Sequence, residues 1–268
     1  MKNKALLVGI NKYPDPRNEL RGCINDILDM ENFISTANVA TNKIYTAENI
    51  KKLANRDATK KEIIKQIKWL MEGAEVGDQL LFQYSGHGAQ LPTLNVNMEE
   101  DGLDEIICPY DYNGSATTTI RDKEFAQLFA SLPKGVHFVW VSDSCHAEDL
   151  SRDVKLDEPV VYRQFHGVLP ISYNKFIETE SVSSSSITSP LNGALLSACA
   201  SHELSADAYI NNRYNGAFTH YLIKNLMLYN EAKTMQDIIK LVNKDLDQNG
   251  YDQNPKIEGL LENKTFFI

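Results

Sequence analysis

A histidine and a cysteine each follow a run of apolar residues in this sequence, and together they could perform nucleophilic catalysis. Leu80-Leu81-Phe82-Gln83-Tyr84 leads into Ser85-Gly86-His87-Gly88, and Phe138-Val139-Trp140-Val141 leads into Ser142-Asp143-Ser144-Cys145-His146. Buried apolar runs of this length are typical of strands. In open parallel sheets ligands gather at the carboxyl ends of the strands, so neighbouring strands would bring Cys145 and His87 to one edge.

The chemistry of this pair is that of a thiol with an acid/base partner. An unperturbed cysteine has a pKa of about 8.5, so little thiolate exists at neutral pH without a base or a positive neighbour. An unperturbed histidine titrates near pH 6.5, so His87 could deprotonate Cys145 and protonate a leaving amine. Gly88 lets the backbone approach a substrate closely, and its N–H with that of Cys145 could form an oxyanion hole.

A lone cysteine at a strand end is more often a small buried apolar residue, and a lone histidine is more often a polar group with a structural partner. Both residues directly follow apolar runs and have small neighbours, which favours a catalytic pair. Esterase chemistry is disfavoured, because no Gly-x-Ser-x-Gly occurs and Ser144 lacks the small residues that a nucleophile elbow requires.

Strands and helices alternate along the chain and would position this pair. The strand pattern occurs five times, at 4–10, 43–46, 79–84, 136–142 and 194–198. Helical spacing predicts helices at about 21–37, 59–72, 122–131, 217–229 and 234–243, with Thr59 and Glu62 as a capping box. Strands separated by helices imply right-handed crossovers and an α/β fold with a largely parallel sheet covered on both faces.

The helical and strand periodicity fades between residues 151 and 190, and a serine-rich run lies at 181–186, near the end of this segment. A long irregular segment within a compact domain is usually a functional loop or a disordered link. We therefore expect a single domain over 1–268, with a larger region at 1–150, a linker at 151–190 and a smaller region at 191–268.

Composition excludes several classes of protein. The 268 residues carry 36 acidic and 27 basic side chains, and a net charge of −9 argues against general nucleic-acid binding and favours a cationic partner. No apolar run is long enough to cross a bilayer, and the apolar stretch near the amino terminus is too short for a signal peptide. The four cysteines are widely spaced, which predicts reduced thiols and a cytoplasmic location.

The sequence resembles the caspase-like cysteine peptidases, peptidase clan CD, family C14, and specifically the metacaspase branch in a compact single-domain form. The segments 84–88 and 143–146 carry this resemblance first. Three further stretches are similar to family segments and follow in the family's order: Gly22-Cys23-Ile24-Asn25-Asp26, the acidic segment at 101–111, and Ser205-Ala206-Asp207-Ala208 with Gly216-Ala217-Phe218-Thr219.

The resemblance implies a caspase-like three-layer sandwich with a six-stranded, mostly parallel sheet. It also implies hydrolysis of peptide bonds through a thioester, with Cys145 as nucleophile and His87 as acid/base. Asp26, Asp143 and Ser85 would form the substrate-binding pocket. Two carboxylates suit a cationic side chain, Arg through a bidentate fork and Lys as a point charge, so we expect cleavage after Arg or Lys.

Two neighbouring residues have other expected roles. His146 follows the nucleophile and would support the site without joining the dyad. Cys23 matches a second family cysteine, but burial on a helix explains it more simply. As separate residues, Asp26 would be read as a helix-surface carboxylate and Asp143 as a cap or turn residue.

Calcium activates many members of this family, although the chemistry needs no cofactor. Hard oxygen ligands occur at Glu99, Glu100, Asp101, Asp104, Asp111 and Asp122. Asp104 and Asp122 would be the ligands. Lys123 directly follows Asp122, however, and a lysine in the shell would repel the ion.

Self-processing is a further expectation, because the 151–190 linker contains Arg152, Lys155, Arg163 and Lys175. The alternative is a flexible loop that is never cleaved. Protein or peptide substrates with basic sites would be the partners, with no nucleic acid or membrane involved, and we expect a monomer.

Two other functions are compatible with the same residues. A legumain-like or clostripain-like peptidase would share the His-Gly pair and the strand-borne cysteine but differ in specificity. A non-catalytic caspase homologue would serve as an interaction module.

Overall fold

The computed structural model describes residues 2–36, 45–92, 103–145, 160–165, 191–200, 203–229 and 231–267. Its five described α-helices are α1 (Cys23–Thr36), α2 (Lys60–Met71), α3 (Asp122–Phe129), α4 (Ala217–Tyr229) and α5 (Met235–Gln248). Its strands are β1 (Asn3–Gly9), β2 (Ile50–Ala54), β3 (Gln79–Ser85), β4 (Gly88–Pro92), β5 (Leu103–Ile107), β6 (Ile120–Arg121), β7 (His137–Asp143), β8 (Val161–Tyr162), β9 (Ala194–Ser197), β10 (Ala206–Ile210), β11 (Arg213–Gly216) and β12 (Lys256–Glu258).

Six of these strands form the central sheet, in the order β12-β9-β7-β3-β1-β2. Every neighbouring pair is parallel except β12 with β9, which is antiparallel. The six-stranded, mostly parallel sheet is therefore confirmed. Strands from both the 1–150 and the 191–268 regions belong to it.

Alternation along the strands places helices on both faces of the sheet. In β1, Ala5 and Leu7 pack in a core with residues of α1, α4 and α5, whereas Leu6 and Val8 pack in a second core with α2 and α3. Successive side chains of a strand point to opposite faces, so an unbroken apolar run can supply two cores. The α/β sandwich with helices on both faces is confirmed.

The predicted strand at 43–46 is wrong where the structure describes it. Residues 45 and 46 have no strand pairing, and β2 lies at Ile50–Ala54, directly after a short 3-10 turn. β2 is the edge of the sheet and carries Lys51 and Lys52, so its apolar pattern is weak. Charged residues on edge strands are a common protection against pairing with another chain.

Two three-stranded sheets, β11-β10-β8 and β4-β5-β6, accompany the central sheet. Strand β4 begins at Gly88, directly after His87. The Thr59 side chain caps α2 by accepting a hydrogen bond from the N–H of Glu62, as the capping box predicts. Among the described residues, no helix has the length and apolar character needed to cross a bilayer.

Candidate active site

The central sheet brings the histidine and the cysteine to one edge. β3 and β7 are parallel neighbours in which Ser85 lies opposite Asp143. His87 and Cys145 each come two residues after these paired positions. Both are almost wholly buried.

Two tyrosines hold the turn that carries His87. The hydroxyl of Tyr13 accepts a hydrogen bond from the N–H of His87 at 2.9 Å, and the hydroxyl of Tyr84 donates to the carbonyl of His87 at 2.7 Å. A Cβ on Gly86 would lie 2.6 Å from the Tyr84 hydroxyl and 2.9 Å from that of Tyr13. Glycine at 86 therefore allows the two hydroxyls to reach the backbone.

The imidazole of His87 is oriented by a backbone carbonyl. Its Nε2 lies 2.9 Å from the carbonyl oxygen of Asn18. That oxygen can only accept, which assigns the hydrogen of the neutral ring to Nε2 and leaves Nδ1 as the basic atom. The ring also lies 4.9 Å from that of Tyr13, measured between centroids. Asn18 is a positioning residue that sequence reasoning missed, because no pattern marks a carbonyl acceptor.

The backbone N–H groups of Gly88 and Cys145 donate to one carbonyl oxygen. That oxygen belongs to Arg163, at 3.0 Å from the Gly88 nitrogen and 3.3 Å from the Cys145 nitrogen. Donors converging in this way can stabilise the negative charge that develops on a carbonyl oxygen under attack. The thiol of Cys145 donates to the carbonyl of Ser205 at 3.2 Å.

A buried acidic pocket surrounds the guanidinium of Arg163. Its Nη2 lies 2.6 Å from Asp26 and 3.1 Å from Asp207, and its Nη1 lies 3.1 Å from Asp143. None of the side chains of Arg163, Asp26 and Asp143 is exposed, and that of Asp207 is 1% exposed. Three carboxylates therefore surround one planar cation in this pocket.

Burial and mutual repulsion alter the ionisation of this pocket. Burial raises the pKa of Asp26 to about 6, with Arg163 opposing the rise and Asp143 adding to it. Burial alone would lower the pKa of Arg163, but the carboxylates of Asp143 and Asp26 outweigh it and raise that pKa. The guanidinium therefore stays charged, while the pKa of Asp26 lies above its ordinary value despite the ion pair.

Hydrogen bonds from the smaller region hold the carboxylates in place. Asp143 accepts from the hydroxyl of Ser205 at 2.7 Å and from the hydroxyl and N–H of Thr219 at 2.6 and 3.1 Å. Asp26 accepts from the N–H of Gly216 at 2.9 Å. Asp26 and Asp143 are therefore buried members of the pocket rather than a surface carboxylate and a turn residue.

Asp207 is a pocket residue that the sequence did not predict. It lies in β10, where it accepts from the N–H groups of Arg21 and Gly22 at 2.7 and 2.9 Å. The signal was present in the Ser205-Ala206-Asp207-Ala208 segment. No spacing rule, however, joins a residue of β10 to the start of α1.

Gly216 closes the pocket without filling it. A Cβ at this position would lie 2.2 Å from Asp143 Oδ2, 2.6 Å from Arg163 Nη1 and 2.8 Å from Arg163 Cζ. Any larger residue would overlap the bound guanidinium.

The remaining predicted residues have varied positions. Ser85 is buried at the end of β3, and no hydrogen bond among the described residues joins it to Arg163. Cys23 is buried at the start of α1, and burial raises the pKa of its thiol. His146, Arg152, Lys155 and Lys175 lie outside the described residues.

Asp104, one of the two predicted calcium ligands, is already paired with cationic side chains. The carboxylate of Asp104 is buried and forms ion pairs with both Arg121 and Lys123. Asp122 begins α3, and Glu99, Glu100 and Asp101 fall outside the described residues. Within the described ranges, no three His, Cys, Asp or Glu side chains cluster as a metal site would require. Arg121 and Lys123 already neutralise the carboxylate of Asp104. Their positive charges would repel a calcium ion at this position.

A cavity of about 670 Å³ lies between α3 and strands β7 and β9, and none of the three pocket carboxylates lines it. Trp140, Ser142 and Cys199 are among its lining residues. Hydrogen bonding to Cys145, together with burial, raises the pKa of Cys199.

Comparison with known proteins gives a consistent family match. The model of the metacaspase peptidase C14 domain matches residues 3–152. Metacaspase-1 of Coccidioides immitis is 31% identical over 96% of this chain, and Metacaspase-1 of Meyerozyma guilliermondii is 30% identical over 96%. The chain spans 61% and 69% of the lengths of these two relatives.

Solved structures share the fold. A crystal structure of a Geobacter sulfurreducens protein aligns over 100% of this chain and 99% of its own, with a TM-score of 0.69 and 23% identity. Caspase-1 of Spodoptera frugiperda aligns over 99% of this chain and 90% of its own, with a TM-score of 0.63 and 12% identity. At these identities the likeness concerns the fold alone.

Proposed function

This chain belongs to the metacaspase family of peptidase C14, and we propose that it is a cysteine endopeptidase that cleaves peptide bonds after arginine or lysine. The observation that carries the proposal is the geometry around Arg163. Its guanidinium fills a pocket of three carboxylates while its carbonyl oxygen accepts hydrogen bonds from Gly88 and Cys145. A basic side chain thus lies among carboxylates while its carbonyl oxygen lies beside the backbone N–H of the candidate nucleophile.

The reaction begins with Cys145 as the nucleophile. His87 takes the thiol proton, and the sulfur attacks the carbonyl carbon of the basic residue. The N–H groups of Gly88 and Cys145 hold the oxygen as negative charge develops on it, a contribution of about 3–4 kcal/mol per donor in comparable sites. His87 returns the proton to the leaving amine, the carbon–nitrogen bond breaks and a thioester forms.

Water completes the cycle. His87 takes a proton from the water, which attacks the thioester and releases the carboxylic acid and the thiol. The carbonyl of Asn18 keeps the ring oriented throughout, because it binds the Nε2 hydrogen and leaves Nδ1 for proton transfer. Hydrolysis consumes one water, and no cofactor enters any step.

Substrate selection rests on the acidic pocket. Asp26 and Asp143 are the residues that the family resemblance implies, and Asp207 completes the set. Partners are therefore proteins or peptides with basic cleavage sites, and self-processing in the 151–190 linker belongs to the same proposal. A monomeric state, a cytoplasmic location and stimulation by calcium stay predictions. Asp104 is a poor candidate for a calcium ligand, because its carboxylate already pairs with Arg121 and Lys123.

The test is hydrolysis of matched peptides that end in Arg, Lys, Asn or Asp before a fluorogenic amine. We expect cleavage after Arg and Lys by the wild type and none by Cys145→Ala or His87→Ala. Cys108→Ala is the matched thiol control, because the hydrogen bonds that join Cys108 to the His87 turn use its backbone groups, which the substitution keeps; it should retain activity.

Preference for Asn or Asp would indicate a different peptidase of the same clan. Absence of cleavage by every form would favour a non-catalytic interaction module.

A further inference from the structure

Residues 160–165 are seated across the candidate active site in the manner of a bound peptide. Strand β8 pairs antiparallel with β10, with Tyr162 opposite Ala206 and Val161 opposite Asp207. The N–H of Arg163 donates to the carbonyl of Ser205 at 3.0 Å. Addition of a strand to a sheet edge is a common mode of peptide recognition.

The segment is also held on the other side of the Arg163 carbonyl. Gln164 forms a parallel bridge with Gly88, and the N–H of Phe165 donates to the carbonyl of Gly88 at 3.1 Å. The ring of Phe165 lies 5.8 Å from that of His87, edge to face. Backbone contacts therefore fix the chain before and after the Arg163–Gln164 peptide bond.

We propose that residues 160–165 are a built-in substrate, that Arg163–Gln164 is the bond cut in self-processing, and that this segment keeps other substrates out until it is cut. The proposal rests on the proposed peptidase function. It adds that the Arg163–Gln164 bond is cut first and that the uncut chain is inactive toward other substrates. Arg163 is the basic residue within the described part of the linker, and it has a filled pocket and two N–H groups on its carbonyl oxygen.

The cut follows the steps given above, with this chain as both enzyme and substrate. Cys145 Sγ bonds to the carbonyl carbon of Arg163, and the bond from that carbon to the nitrogen of Gln164 breaks. His87 supplies the proton to the new amino terminus at Gln164. Water then releases the Arg163 carboxylate and restores the thiol, so the balance is one water per bond.

The two products, residues 1–163 and 164–268, should remain associated after the cut. Strand β7 belongs to the first and β9 to the second, and they pair within the central sheet. Helices α4 and α5 of the second product share a core with α1 of the first. Separation is therefore expected on a denaturing gel and not in native size-exclusion chromatography.

A tethered occupant competes strongly with free substrates. Effective concentrations of short tethered segments reach about millimolar, which exceeds the peptide concentrations of ordinary assays. Freshly purified wild type should thus hydrolyse an Arg peptide with a lag, and its initial rate should be at least about tenfold below the final rate. The lag should be first order and independent of enzyme concentration, because the cut is intramolecular.

The experiment follows self-cleavage by intact mass spectrometry and Arg-peptide hydrolysis together. Arg163→Gln should not form the 164–268 fragment and should hydrolyse the peptide without a lag. Arg152→Gln, which removes an arginine from the same linker, should behave as wild type. Arg163→Lys should be cut at the same bond at least about tenfold more slowly, since its cation loses one or more of the charged hydrogen bonds.

Arg163→Lys also covers the case in which Arg163→Gln fails to fold, because it retains the buried positive charge. First cleavage at another bond, or an unchanged lag in a folded Arg163→Gln, would overturn the inference. So would immediate full activity of uncut wild type, and in that case the peptidase function would still stand. If no form hydrolyses Arg peptides, the proposed function itself fails.

Discussion

Arginine should be preferred over lysine at the cleavage site, and the structure gives the size of the effect. The guanidinium of Arg163 uses two nitrogens to reach three carboxylates, at 2.6, 3.1 and 3.1 Å, and Nη1 also donates to the carbonyl of Asp143 at 3.2 Å. A lysine ammonium presents its donors from a single point on a shorter reach. It cannot occupy both nitrogen positions at once.

The loss of one charged hydrogen bond costs about 1.5–3 kcal/mol. Lysine peptides should therefore show kcat/KM about 10- to 150-fold below that of arginine peptides, at 1.36 kcal/mol per factor of ten. Citrulline keeps the shape of arginine without the charge. Breaking a buried ion pair costs about 3–5 kcal/mol, so citrulline peptides should fall by about 10²- to 10⁴-fold.

The assay compares three peptides that differ only in this residue, using wild type that has completed self-cleavage. Asp29→Asn is the control variant, because Asp29 lies one turn from Asp26 on α1 and pairs with Arg213 rather than with Arg163. It should preserve the ranking. Equal rates for arginine and lysine, or efficient cleavage after citrulline, would refute the reading of the pocket as a three-carboxylate fork.

Three further predictions follow from the same geometry. With an arginine in the pocket Asp26 has a pKa of about 6, so kcat, which reports the substrate complex, should fall as the pH drops through 6. The arginine lowers the pKa of Asp26, so the fall in kcat/KM, which reports the empty pocket, should occur above pH 6. Asp26→Asn should lose both falls, and a pH profile identical to wild type would contradict the assignment. Gly216→Ala should displace the guanidinium and lower kcat/KM for Arg peptides by about 100-fold. Alkylation of Cys145 by iodoacetamide should change little. Unchanged peptide cleavage would contradict the close approach of the guanidinium to Gly216. Asp104→Ala should lower the free energy of unfolding in urea by about 3–5 kcal/mol, since it leaves Arg121 and Lys123 without their shared carboxylate. Any calcium response should survive that substitution, and its loss would place the metal at Asp104.

The sequence predicted the parts of the fold that bury an apolar run or an apolar stripe. Strands β1, β3, β7 and β9 and all five helices fall close to their predicted positions. The two strands that deliver His87 and Cys145 belong to this set, since both are wholly buried. Strand β2 was misplaced because an edge strand with two lysines has no such run.

The pocket shows where a single sequence stops being informative. Asp26 and Asp143 were predicted from the resemblance to a family. Asp207 lies far along the chain and is brought to the pocket where β10 meets Arg21 and Gly22, just before α1. Arg163 was one of four basic residues in the linker. Its burial depends on backbone pairing with β10 and with Gly88, which no local pattern encodes.

Covalent labelling tests the central claim most directly. A peptide that carries an arginine side chain and a thiol-reactive ketone should modify Cys145 of the self-cleaved chain, as located by peptide mass spectrometry. Asp143→Asn should slow this reaction strongly while leaving alkylation of Cys145 by iodoacetamide largely intact. Modification of Cys23 or Cys199 instead, or equal labelling by a reagent that carries aspartate, would contradict the claim that Cys145 reacts with substrates whose basic side chain binds the acidic pocket.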